Sequence, residues 1–256
     1  MRTHRALLAI PVLALLACAD TGTAPEASPQ FQAVKGGHAR DYALDFSTSF
    51  VEVPDANVLD LGATYTIEAW IKPRTVTSYQ HIVSKWSGGG NASYTLEVHE
   101  GKLRSGVHNG VNTTQAVESN GTIVPDVWQH VAVTLDNGTL RLYIDGVLDR
   151  EFTGSQTPMN SDRPLSIGHE GPPYNGWWFD GLIDDVRVWN VARTEPEIAA
   201  GMNGLKGKKT GLAGWWRFNE GQGDVAKDAT KNRNHGRLGS AVGADANDPT
   251  WVTDVP

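Results

Sequence analysis

The sequence predicts an all-β protein whose strands form two antiparallel sheets packed as a sandwich. Three observations lead to this prediction. Apolar and polar residues alternate in many short segments, glycine-containing turns separate these segments, and a single segment has the pattern of a helix. The chain of 256 residues contains 28 glycines and nine tryptophans, which suit tight turns and aromatic packing between sheets.

Alternation is clearest in residues 65–71, 128–135 and 139–145, where every second residue is apolar. The last two segments flank Asn137-Gly138, and Asp145-Gly146 follows them. Both pairs favour tight hairpin turns because Asn, Asp and Gly tolerate positive φ. The sequence therefore predicts a run of antiparallel hairpins.

One short helix is predicted near residue 195. Thr194 and Glu197 have the spacing of a capping box, and Pro196 falls in the first turn, where it needs no hydrogen-bond partner. Gly201 is a suitable residue to end the helix.

The order of these segments resembles the laminin-G-like domains of the concanavalin A-like superfamily in their bacterial form. The resemblance covers nearly all of residues 42–240 and is carried by residues 43–46, 50–54, 65–73, 128–133, 140–147, 165–168, 179–187 and 216–221. It implies a jelly-roll sandwich. Such domains occur in adhesins, glycan-binding modules and sialidase lectin domains, so fold alone does not define the ligand.

The first 17 residues are typical of a signal peptide. Arg2 and Arg5 precede an apolar run, residues 6–17, that is too short to cross a bilayer stably. Leu15-Leu16-Ala17-Cys18 resembles the bacterial lipobox, in which the cysteine is lipidated, although Leu16 is unusual there. We expect Cys18, the single cysteine of the chain, to carry a lipid anchor. The alternative is an ordinary signal peptide with an incidental cysteine.

Composition indicates a tether and one domain beyond the signal. Residues 18–30 are small, polar and proline-containing, which suits a flexible linker, and residues 31–256 are expected to form a single domain. Without Arg2 and Arg5 the charge is 20 − 29 = −9 and no basic cluster is present. These features argue against nucleic acid as a partner. We expect membrane contact only through the lipid anchor, at the outer membrane or cell surface.

No catalytic motif is evident in the sequence. Laminarinase-type glycosidases of this superfamily use two glutamates flanking an aspartate on one strand. The nearest segment here, from Glu97 to Glu100, lacks the aspartate, and its glutamates should point to opposite faces. The sequence therefore predicts a binding protein rather than an enzyme.

A structural calcium ion is one option for the loop after residue 227. Asp228 and Asn232 offer oxygen ligands at alternating positions, but an Asx-type turn explains them better. Asp184 is a further metal candidate. One of Asp184 and Asp185 should face inward on a strand, and Arg187 is the expected partner of Asp185.

Aromatic residues are the main indication of a ligand. Residues 169–178 form a turn-rich segment carrying Tyr174, Trp177 and Trp178, whose ring faces suit stacking of sugars; covering the sandwich edge is the alternative. Asn91, in a glycine-rich loop, could lie beside them. The sequence favours an exported, carbohydrate-binding lipoprotein. An envelope protein recognising another protein is the alternative, and a polysaccharide-acting enzyme is third.

The lipid anchor leads to a first prediction. Cys18→Ser should abolish acyl labelling and move the protein to a soluble or unprocessed fraction, because the acyl chains supply the membrane affinity. The melting temperature should not change, since residues 18–30 are expected to lie outside the folded domain. A wild-type protein that begins after Cys18 and is free in the medium would contradict the anchor.

Overall fold

The predicted two-sheet sandwich is confirmed. The structure, a computed structural model, describes residues 41–86, 93–110, 115–171 and 176–256. In this part of the chain, two antiparallel sheets of eight strands each are present. All described residues belong to the compact unit Ala33–Pro256.

Sheet A carries the longest strands. Its spatial order is β10 (Val147–Thr153), β9 (Thr139–Ile144), β8 (Gln129–Asp136), β3 (Thr64–Pro73), β12 (Gly181–Trp189), β1 (Ala43–Phe46) and β16 (Thr250–Val252), and β13 (Leu212–Trp216) also pairs with β12.

Sheet B packs against sheet A across the core. Its spatial order is β14 (Val225–Ala226), β15 (Gly236–Leu238), β2 (Val51–Val53), β11 (Leu165–Ile167), β4 (Gln80–Lys85), β5 (Tyr94–His99), β6 (Lys102–Val107) and β7 (Gln115–Glu118). A 3-10 turn, Asn57–Leu59, follows β2.

The two hairpin turns have the predicted backbone. Asn137 and Gly138 have φ of 46° and 91°, and Asp145 and Gly146 have φ of 51° and 76°. Two successive residues with positive φ give the turn twist that matches flanking antiparallel strands.

Helix α1 (Glu195–Gly201) is confirmed at its predicted position on the outer side of sheet A. The amide of Thr194 donates to Oε2 of Glu197 over 2.8 Å, which forms the capping box. Ile198 packs on Ala132 and Tyr143 of the sheet. Among the described residues, no helix is long and apolar enough to span a bilayer.

A buried carboxylate on sheet A connects the sheet to the residues around α1. Glu68 on β3 is fully buried, and its Oε1 accepts hydrogen bonds from Arg187 Nη1 (3.3 Å), Trp189 Nε1 (3.0 Å) and Arg193 Nη1 (2.7 Å). Arg187 Nη1 also donates to the carbonyl of Gly201 at the end of α1 (3.0 Å). A buried charge persists only with such partners.

An internal lysine plays a comparable role at sheet B. Lys85 on β4 is fully buried, and its Nζ lies 2.8 Å from Oδ1 of Asp55 and 2.8 Å from Oδ1 of Asp60. It also donates to the carbonyl of Ser161. The ammonium group thereby fixes two loops to the end of β4.

The Glu68 cluster gives a stability prediction. Glu68→Ala should lower the free energy of unfolding by about 3–5 kcal/mol, because the buried guanidinium group of Arg187 and the partly buried one of Arg193 lose their shared carboxylate. The control is Glu151→Ala, which removes an exposed partner of Arg141 and should cost about 0–1 kcal/mol. Urea unfolding measures both, and equal losses would refute the structural importance of Glu68.

Candidate functional site

The outer surface of sheet B carries a group of polar and aromatic side chains. Strand alternation places His81 of β4, Glu97 and His99 of β5, Arg104 of β6 and Glu118 of β7 on this side, because their strand neighbours Leu96, Val98, Leu103 and Val117 lie in the core. This surface lies on the opposite side of the sandwich from α1.

Trp177 is held against this surface by its backbone. Its carbonyl accepts a hydrogen bond from the amide of His81 (3.0 Å), so its segment lies beside β4. Its φ of 54° is unusual for a large side chain. The indole stacks parallel to the His81 ring at 5.5 Å and 4°, and 45% of Trp177 remains exposed.

Tyr79 extends the stacked surface. Its ring centroid lies 5.1 Å from that of Trp177 and 3.8 Å from that of His99, and the guanidinium carbon of Arg104 lies 5.1 Å from the Tyr79 centroid. We name Trp177, Tyr79, His81, His99 and Arg104 the aromatic patch. The patch presents ring faces beside hydrogen-bond donors.

A buried pair of titratable groups lies under Trp177. Nε2 of His81 is 3.1 Å from Oε2 of Glu97, and both side chains are almost completely buried. Burial raises the pKa of Glu97 to about 7 although Arg104 opposes this, and burial lowers the pKa of His81 to about 3. His81 is therefore neutral at pH 7, and this contact is not an ion pair of two charged groups.

The two tryptophans predicted to bind a ligand have different surroundings in the structure. Trp177 is exposed in the patch, whereas Trp178 stacks on His169 at 4.2 Å and lies 6.0 Å from Phe50. This geometry favours the alternative of packing at the sandwich edge, and ligand binding by Trp178 stays a prediction. Tyr174 and Asn91, the other predicted ligand residues, lie outside the described residues, as does Cys18.

The Asp228 carboxylate is fully engaged by the protein. Oδ1 accepts from the amides of Trp215 (3.1 Å) and Thr230 (2.8 Å), and Oδ2 accepts from the Thr230 hydroxyl (2.8 Å) and the Asn234 amide (2.9 Å). The side-chain amide of Asn232 donates to the carbonyl of Ala213 (2.8 Å). These contacts favour the turn-capping role, and calcium binding stays a prediction.

The expectation that Asp184 or Asp185 faces inward is wrong. A bulge in β12 interrupts the register after Asp184, and Asp185 has φ of 51°. Asp184 lies opposite Trp70 on the outer side of β3, and Asp185 pairs with Arg187 as expected. The bulge breaks simple alternation, so both carboxylates lie on the outer side of sheet A.

Asp184 has a buried carboxylate. Burial and the nearby Asp185 raise the pKa of Asp184 well above its usual value. Within the described ranges, no group of three or more His, Cys, Asp or Glu side chains is arranged to hold a metal ion. Metal binding by Asp184 stays a prediction.

Four residues of the aromatic patch were not predicted from the sequence, namely Tyr79, His81, His99 and Arg104. The usable signal was the spacing of two between Tyr79 and His81 and between Glu97 and His99, which puts each pair on one strand face. Recognising that these faces adjoin required the pairing of β4 with β5.

The Glu97 environment gives a pH prediction. The pKa of Glu97 is about 7 in the folded protein against an ordinary 4.5. Between these values the folded state holds a proton that the unfolded state has lost, so this group makes stability fall as pH rises. His81 acts oppositely between pH 3 and 6.5, where the unfolded state holds the extra proton.

Glu97→Gln removes the contribution of Glu97, which makes stability fall as pH rises, and leaves that of His81. The stability of the variant relative to wild type should therefore increase as pH rises from 4.5 to 7, as measured by urea unfolding across this window. Glu118→Gln, an exposed carboxylate on the same surface, is the control. Parallel curves for Glu97→Gln and wild type would contradict the raised pKa.

Distant sequence relatives of the chain include a receptor and an enzyme subunit. The chain is 27% identical over 145 residues to the adhesion G-protein coupled receptor V1 of Danio rerio, covering 53% of this chain and 2% of the receptor. It is 24% identical over 223 residues to the N,N-dimethylformamidase beta subunit of Paracoccus aminophilus, covering 74% of this chain and 29% of the subunit. The chain thus spans less than a third of each relative.

The fold is shared with a solved structure from Bacteroides ovatus, that of a proposed carbohydrate binding protein. The TM-score is 0.67 at 23% identity, with 85% of this chain and 61% of that chain covered. The model of the concanavalin A-like lectin/glucanases superfamily matches residues 45–199, which is more than half of the chain. The chain belongs to the concanavalin A-like lectin/glucanases superfamily.

Proposed function

We propose that this protein is a carbohydrate-binding module that contacts its ligand through the aromatic patch. The observation that carries the proposal is the exposed ring of Trp177, which is fixed by a backbone hydrogen bond to β4 and by stacking on His81. A rigid aromatic face loses little conformational entropy when a ligand stacks on it. The Bacteroides ovatus protein of the same fold, described as a proposed carbohydrate binding protein, supports this choice.

The neighbours of Trp177 suit a sugar. The apolar face of a pyranose ring can stack on Trp177 and Tyr79, while its hydroxyl groups bond to polar atoms at the rim of the stack. His99 and Arg104 supply donors there, and Glu118, which is 2.8 Å from His99, supplies an acceptor. Aromatic faces with adjacent polar groups thus match both parts of a sugar.

We propose a binding role without catalysis. Glu97 is 2% exposed and contacts His81 and Arg104 of the patch, a position suited to supporting it. Glu100 lies in the turn after β5 with φ of 46°. Polysaccharide hydrolysis that is lost in Glu97→Gln would overturn this assignment, and the relationship to the dimethylformamidase subunit leaves amide hydrolysis as a second activity to assay.

The cellular setting is part of the proposal. We infer an exported protein that is anchored through a lipid on Cys18 and joined to the domain by the tether of residues 18–30. This arrangement would present the domain to envelope or external glycans. One bound calcium ion at Asp228 also stays a proposal, so binding assays should be run with calcium and with chelator.

The binding test centres on Trp177. On a glycan array we expect a defined set of ligands, and Trp177→Ala should weaken binding to them by roughly 10- to 100-fold, the loss that follows truncation of an aromatic hot spot. Because Trp177 also packs on His81 and Tyr79, melting temperatures establish that the variant folds. Trp128→Ala, a partly exposed tryptophan next to β8 on sheet A, is the matched control and should retain affinity.

Absence of glycan binding with and without calcium would refute the proposal. Cross-linking in cells to one reproducible protein partner would then favour the alternative, an adhesive or structural protein of the envelope. Equal losses in Trp177→Ala and Trp128→Ala would move the site away from the aromatic patch.

A further inference from the structure

The two sheets leave a cleft between their free edges. Sheet A ends at β10 and sheet B ends at β7. A cleft of about 430 Å³ lies between them and is lined by Arg104, Ala116, Val117, Glu118, Arg150 and Phe152, which we name the edge cleft. Its volume falls in the range of about 300–1,000 Å³ that is usual for small-molecule sites.

Side-chain hydrogen bonds close both ends of the gap between β7 and β10. At one end Gln115 donates to the carbonyl of Gly154 (3.3 Å) and accepts from the amide of Gln156 (2.8 Å). At the other end the carboxylate of Asp149 accepts from the amides of Asn120 (2.5 Å) and Gly121 (2.8 Å). A polypeptide strand could not run along the gap without breaking these bonds, so a compact ligand fits better.

The floor and one wall of the edge cleft suit a sugar ring. Val117 is 6% exposed, and Phe152 is partly buried against the core, which gives an apolar floor. The amide of Ser119 donates to Leu103 on β6. Because bonded and free residues alternate along an edge strand, Ala116 and Glu118 direct their backbone polar groups toward the gap, where hydroxyl groups can bond to them.

The charged side chains that line the edge cleft differ in their ion-pair partners. Arg104 contacts Glu97 and Glu118, and Glu118 also contacts His99. Arg150 is exposed, and its contact within the described chain is a 3.4 Å hydrogen bond from Nη1 to the neutral side chain of Asn120. It forms no ion pair with a described residue. A guanidinium group in this state can bind a carboxylate through two parallel hydrogen bonds.

We propose that the edge cleft binds a carboxylate-bearing sugar residue of an acidic glycan through Arg150. The inference rests on the proposed function and extends it, because Arg104 borders both the aromatic patch and the edge cleft. A glycan chain stacked on Trp177 and Tyr79 can therefore continue into the cleft. Glu118 in the wall opposes the anion, so the carboxylate must lie toward Arg150.

The test uses glycans in matched pairs that differ in their carboxylates. The panel contains galacturonan oligosaccharides and their methyl esters, sialylated oligosaccharides and their methyl esters, and glucuronate-containing oligosaccharides and their carboxyl-reduced forms. We expect binding to favour the carboxylated member of a pair by roughly 10- to 100-fold, the range of a hydrogen bond to a charged group, and to weaken as salt increases.

Two variants locate the effect. Arg150→Gln should reduce the preference for the carboxylated member to less than about threefold, while affinity for its uncharged counterpart is kept. Arg217→Gln is the control, because Arg217 is an exposed arginine beyond β13 and its removal changes the net charge equally. Melting temperatures establish that both variants fold.

The outcomes separate this inference from the proposed function. Equal binding of both members of each pair, or an unchanged preference in Arg150→Gln, would overturn the acidic-glycan inference and leave carbohydrate binding intact. Equal losses in Arg150→Gln and Arg217→Gln would reduce the effect to net charge and would also overturn it. No binding to any glycan of the panel or the array would refute the proposed function itself.

Discussion

The buried carboxylate of Glu68 is the interaction on which the arrangement of the outer layer depends. It lies on the central strand β3 and is shared by Arg187 of β12 and by Arg193, which precedes α1. Arg187 in turn bonds to the last residue of the helix, Gly201. Because these contacts fix α1 over sheet A, that surface is used for packing. The aromatic patch lies on the opposite side of the sandwich, at the outer surface of sheet B, where Trp177 is exposed.

Features that depend on neighbours in the chain were predictable. The φ angles of Asn137 and Gly138 follow from residue types that tolerate the left-handed region, and the capping box at Thr194 follows from a spacing of three. Strand β3 was found from its alternating residues, although its second face is buried as well. Such signals act over a few residues, so one sequence contains them completely.

Features that depend on strand order or on backbone irregularity were not predictable. The adjacent residues Trp177 and Trp178 have the same side chain, but Trp177 has a left-handed backbone and bonds to His81, whereas Trp178 stacks on His169. The aromatic patch joins residues about 20 to 100 positions apart in sequence, so its assembly depends on the pairing of distant strands. At Asp185 a single bulge was sufficient to reverse an argument based on alternation.

Lys85 bears on whether the fold depends on dissolved cations. Its ammonium group occupies a pocket of two carboxylates and a carbonyl, the kind of oxygen-rich site that a dissolved cation could otherwise fill. A cation that is covalently part of the chain has no dissociation equilibrium and is not removed by dilution or by competing ions. We therefore expect the loops held by Lys85 to keep their geometry when the divalent ion content of the surroundings changes.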